Sequence, residues 1–136
     1  MRVMGHNVLA IIVAAIAIWL IGFLIYAVLF AEAWIGWMGI DPTNAEKDNG
    51  RMLFMLVMPV LQAVGLSFAV KWRDAPGVMG GLTTGLLMAL LFSIAARMYG
   101  WVYSAYPGEP TELLGLDSLH FLLTHAVAGA ILGAWK

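Results

Sequence analysis

Cysteine is absent from the 136 residues, which excludes disulfides, thiolate nucleophiles and cysteine-ligated metal or iron–sulfur centres. Charge is scarce as well: Asp, Glu, Lys and Arg make up 11% of the chain, seven bases against eight acids. The bases nowhere form a run, so no phosphate-tracking surface and no nucleic-acid partner is expected. Walker, Rossmann and Gly-x-Ser-x-Gly signatures are missing. No catalytic residue is therefore assigned, no enzyme is expected and no cofactor is implied. No Lys sits deep in an apolar run, so Schiff-base chemistry has no candidate. The nine Met residues form no Met-x-x-Met cluster, which argues against a copper pathway and for adaptable apolar packing.

Apolar residues fill the space that charge leaves. They are 62% of the chain, with a mean hydropathy of +0.90, and they gather into four long runs separated by the charged residues. A soluble bundle would need a polar face on every helix; a chain that crosses a bilayer repeatedly is written in this way instead. The runs cover residues 8–30, 52–70, 78–99 and 113–135, each about 20 residues and so long enough at 1.5 Å per residue to cross hydrocarbon. The expected fold is an all-α membrane protein, a four-helix transmembrane bundle forming one domain over residues 1–136. The first run exceeds the roughly 7–15 residues of a signal-peptide core and is expected to stay as an anchor.

Between the runs, Asp41-Pro42-Thr43-Asn44 signals a turn or cap, Pro76-Gly77 a tight reversal making helices two and three antiparallel neighbours, and Pro107-Gly108-Glu109-Pro110 a helix break, with Thr111 a plausible cap. Trp34 and Trp37, and Tyr99, Trp101, Tyr103 and Tyr106, suit headgroup depth. Four spans put both termini on one side. The basic residues there (Arg2, Lys71, Arg73 and Lys136) outnumber Lys47, Arg51 and Arg97 by four to three, which assigns both termini to the cytoplasm.

Gly77, Gly81 and Gly85 recur every fourth residue, continued by Ala89 and Ser93, and helix four carries Ala126, Ala130 and Ala134 beside Gly129 and Gly133. Such stripes let backbones approach closely, either between helices three and four or between two protomers. A homo-oligomer or a membrane-protein partner is expected on this ground.

The polar residues inside the runs are few. Asp117, His120 and Thr124 share one face of helix four, and His125 lies near the bilayer centre. Intramembrane ionisable groups are candidates for function: a proton relay, a polar pocket or a weak metal site. The plainer reading is a neutral imidazole satisfied by a hydroxyl or carbonyl of a neighbouring helix. Pro59 withholds an amide inside helix two, so Gln62 is expected beside a kink and an interhelical hydrogen bond. Arg97 is expected to snorkel or to pair with Asp117 or Glu112. His6 has no evident partner and reads as a free imidazole.

The exit of helix one, Leu29-Phe30 with Trp34 and Met38-Gly39, and the C-terminal segment from Gly129 to Lys136 resemble the DUF1761 family of small four-span bacterial membrane proteins. Its Leu-Phe-x-x-x-Trp-x-x-x-Met-Gly stretch is matched, while the Trp-Tyr pair frequent in the family reads Ile25-Tyr26 here. The resemblance implies the topology and a bacterial inner membrane, and it transfers no catalytic residue.

Overall fold

A computed structural model describes residues 2–41, 49–74, 76–103 and 110–135, with backbone alone described over 49–52. Pro42 to Asn44, Lys47, Tyr106 to Glu109 and Lys136, for which the sequence raises expectations, lie outside the described residues. The chain opens with a small hairpin, β1 (Arg2–Val3) and β2 (His6–Asn7), paired antiparallel. Five helices follow: α1 (Val8–Leu29), α2 (Ala31–Trp37), α3 (Asn49–Trp72), α4 (Gly77–Tyr103) and α5 (Thr111–Ala134). Four of these, α1, α3, α4 and α5, are long and apolar enough to cross a membrane. The protein is a multi-pass, all-α membrane protein.

Each boundary has a local cause. Met4 and Gly5, both at positive φ (50° and 81°), make the hairpin's two-residue turn, the backbone that best matches strand twist. Asn7 caps α1 by accepting the Ala10 amide at 3.3 Å and also donates to the Trp135 carbonyl. At the α3–α4 reversal Asp74 and Gly77 take positive φ (49° and 83°), and Arg73 donates to the hydroxyls of Thr83 and Thr84. Thr111, expected as a cap, is the first helical residue of α5, with Pro110 in the cap position; proline's fixed φ and missing amide suit a helix start. After α1 the chain forms the short helix α2 where only a polar connection was expected, because Phe30 breaks the ladder for one residue.

His6 overturns its expectation. It is buried, its Nδ1 is 2.7 Å from Ser67 Oγ, and its ring packs on Phe68. The hairpin folds it under the end of the bundle, where Lys71 fixes the lid by donating to the Met4 carbonyl. Burial, aided by the Lys71 charge, holds the His6 imidazole below its usual pKa.

Helix α5 stands at the centre and touches α1, α3 and α4. Helices α3 and α4 run antiparallel and touch, but α3 lays more of itself on α1 and α4 far more on α5. The α4–α5 contact is backbone against backbone. A Cβ added at Gly81 would stand 2.8 Å from the carbonyl carbon of Gly129 and 2.9 Å from Gly133 Cα, and one at Gly133 would stand 2.8 Å from Gly81 Cα. The stripe of Gly81, Gly85, Gly129 and Gly133 is thus spent inside the chain, with Gly77 serving the turn and covering Gly133 through its carbonyl. Around the same half of the bundle lies the core: Ala10, Ala14 and Ile18 of α1, Ala63, Leu66 and Val70 of α3, and Ala128 and Leu132 of α5.

The other half of α3 is different. From Leu53 to Leu61 every residue except Pro59 is exposed to at least 46%, so this half-helix leans on α1 only along one edge. Helix α3 runs unbroken through Pro59.

Candidate functional site

Helices α1 and α4 each contain one stretch wound with i→i+5 hydrogen bonds, Leu24–Leu29 and Ala89–Ile94. Such turns insert an extra residue and re-aim the side chains that follow. In α1 the stretch carries Tyr26 and in α4 it carries Ser93, and both reach the polar face of α5.

Two networks result. Asp117 accepts the Tyr26 hydroxyl at 2.6 Å on one oxygen and Arg97 Nε at 2.5 Å on the other. The expected pairing of Arg97 with an acid of helix four is thus made by Asp117, joining α1, α4 and α5. The ion pair retains about a fifth of its exposure, 20% and 17% for its two side chains. About two helical turns further in, Thr124 is fully buried and donates to the His120 carbonyl at 2.7 Å. With its hydrogen spent there, its oxygen can only accept from His125 Nδ1 at 3.3 Å. This makes Nδ1 the protonated nitrogen and leaves Nε2 to accept from Ser93, 2.9 Å away. His125 is therefore satisfied on both sides by hydroxyls, the plainer of the two sequence readings.

His120 and Gln62 are not satisfied. Among the described residues neither side chain makes a hydrogen bond to the protein, so the interhelical bond expected of Gln62 is absent. The splay of α3 carries its amide clear of α5. His120 meets rings only, Tyr26 edge-on at 5.1 Å and Phe121 at 5.5 Å. It reaches the α1 wall because residue 22 has no side chain: a Cβ there would stand 3.3 Å from His120 Nε2. Both side chains line a cavity of about 220 Å³ between α1 and α3, walled by Trp19, Phe23, Met55 and Pro59. At 1.5 Å per residue, Asp117, His120 and His125 lie about 9, 13.5 and 21 Å along α5 from Thr111, so the cluster descends from one end toward mid-membrane.

Asp117, His120 and His125 do not converge, and among the described residues no three His, Asp or Glu side chains stand together as a metal site. The weak metal site considered for them is not assembled. Sequence reasoning missed Tyr26, Ser93 and Gly22. Ser93 had a signal, since it ends the four-residue stripe of α4 facing α5. Tyr26 was marked only by the family's Trp-Tyr position, with the extra residue in the α1 turn hiding which face it takes, and Gly22 had no signal, because its part depends on the imidazole that α5 brings to it.

The model of the DUF1761 family, proteins of unknown function, matches residues 9–133. No curated protein and no solved structure matches the chain. The chain belongs to the DUF1761 family.

Proposed function

We propose that this DUF1761 protein is a small, non-enzymatic transporter of the bacterial inner membrane, both termini cytoplasmic, that handles a proton, an ion or a small polar solute on the polar face of α5. The single observation that carries this reading is the Tyr26–Asp117–Arg97 network inside the membrane region. Charge in that position costs several kcal/mol of desolvation even when paired. A bundle already closed by glycine contacts at its other half needs no such pair for packing. The placement of Tyr26 and Ser93 on re-aimed helical turns supports the same reading.

A gated carrier fits better than an open channel. Between the polar cluster and the terminal end lies the apolar core of Ala14, Leu66, Ala128 and Leu132, about 10 Å of α5 without a polar group on its core face. Passage requires that core to open.

The test is flux into liposomes, followed for protons, for sodium and potassium, and for a small neutral polyol. Flux above empty liposomes that disappears in the double variant Asp117→Asn/Arg97→Leu supports the reading. No flux for any of the four probes ends it.

A homo-oligomer or accessory subunit is the second reading. It loses the support of the glycine stripe, which is occupied within the chain, and rests on the unpacked half-helix Leu53 to Leu61. The cysteine-free chain makes its test direct: single cysteines at Leu53, Leu56 and Leu61, oxidised in native membranes, give a doubled mass for a homo-oligomer and a heavier adduct for a foreign partner. Uncrosslinked protein at all three positions removes it.

A further inference from the structure

His120 and Gln62 come from different helices, lie in the membrane region and lack a hydrogen-bond partner among the described residues. Hydrocarbon supplies none, and a polar group left unpaired in it costs on the order of 2–7 kcal/mol. Both open on the same cavity of about 220 Å³. A second, larger trough of about 480 Å³ continues from it, sharing Trp19 and Pro59 and completed by Ala15, Ile16, Leu56 and Val60. The trough has no polar side chain other than the Trp19 indole. A chamber with two hydrogen-bonding groups thus adjoins an apolar trough, and both face the lipid along the splayed half of α3.

We propose that this cleft is a binding site for an uncharged amphiphile entering sideways from the bilayer, its hydroxyl or carbonyl head on His120 and Gln62 and its hydrocarbon body in the Trp19–Pro59 trough. A neutral imidazole offers one donor and one acceptor, and a carboxamide offers both as well. A hydroxyl pairs with either, and a carbonyl accepts from either donor. The head is uncharged because Arg97 and Asp117, the charges nearby among the described residues, already pair with each other, and because an ionised head would have to leave the interface for a site about 13.5 Å along the helix. Gly22 sets the width of the chamber by letting the imidazole reach the α1 wall.

The site lies on the polar face to which the transport reading assigns function, but it requires no passage across the membrane. Liposomes without flux leave it standing, and a cleft that binds no amphiphile leaves the transport reading standing.

The experiment uses the full chain in lipid nanodiscs and two photoactivatable probes of equal chain length, a diazirine-bearing long-chain alcohol and the corresponding hydrocarbon without the hydroxyl. Adducts are mapped by mass spectrometry. The alcohol is expected to label residues 15–27 and 55–62 roughly tenfold more than the hydrocarbon does, the worth of one to two net hydrogen bonds. His120→Leu and Gln62→Leu should each lower the alcohol's yield toward the hydrocarbon's. Gly22→Leu, which fills the chamber from the α1 wall and packs against the His120 imidazole, should lower it while both polar side chains are still present. Equal labelling by the two probes in the parent protein overturns the proposal, as does a preference for the alcohol that survives all three substitutions in folded protein.

Discussion

The two halves of the bundle solve the membrane problem in opposite ways. Where α4 meets α5, glycine faces glycine and backbone touches backbone, and Thr84 closes its hydroxyl on the Gly80 carbonyl at 2.7 Å. Where α1 meets the first half of α3, large apolar side chains stand exposed and two polar ones remain unpaired. In lipid no hydrophobic expulsion drives helices together, so close packing and satisfied polar groups must do so. The tight half uses both and is the part that holds the fold. The seam between α1 and the first half of α3 uses neither, so Gln62 and His120 are the polar groups for which packing gives no account.

The sharpest way to break this comparison is to give the tight half side chains. Replacing Gly81 and Gly85 together by Ala places each Cβ against a backbone carbonyl of α5, a clash no rotamer relieves. Two overpacked sites should cost about 4 kcal/mol, seen as loss of folded protein in denaturant titration. Gly65→Ala is the control, since nothing lies within 4 Å of its added Cβ. Next comes Asp117→Asn, which removes the carboxylate that Arg97 and Tyr26 share. Breaking a buried pair costs about 3–5 kcal/mol, and the residual exposure of both side chains puts the expectation at about 3. Restoring a balanced site with Arg97→Leu in the same chain should recover part of that loss, and a double variant no better than the single one would show that the pair's charge balance is not what matters.

How much of this was readable in the sequence follows from which signals are local. The four spans were, because length and hydropathy are properties of a run, and so was the partner of Arg97, one of two acids within reach. The small-residue stripe was readable as a close contact but not as an internal one: the same spacing serves a neighbouring helix or a second copy, and only the fold chooses. His6 was misread because its burial depends on a two-residue turn at Met4-Gly5 that folds back onto α3. The face taken by Tyr26 was hidden because an i→i+5 turn shifts it by one residue and no composition marks the turn, and Gly22 was silent because its neighbour, His120, comes from another helix. Gln62 was expected to be bonded, and the splay of α3 that leaves it free is a tertiary fact.

The hairpin lid sharpens the comparison at a smaller scale, since it covers the terminal, tight end. Burial and the Lys71 charge lower the His6 pKa, so the folded lid favours the neutral ring. Its stability is complete above the unfolded value near 6.5 and declines as pH falls through the lowered folded value. Faster amide exchange of residues 2–7 on going from pH 7.5 to 5, corrected for intrinsic rates, is the expected outcome. His6→Phe should flatten that dependence, and an unchanged profile would mean that His6 does not govern the lid.

The smallest effect belongs to the loose half. Leu56 is 60% exposed and lines the cleft, so Leu56→Ala removes contacts made largely with lipid and should change stability by no more than about 0.5 kcal/mol. The same truncation at Leu66, 3% exposed in the core, should cost about 2–5 kcal/mol. Equal costs at the two positions in the same denaturant titration would mean that the first half of α3 packs as tightly as the second, which would close the cleft and supply the missing partners of His120 and Gln62 from within the chain.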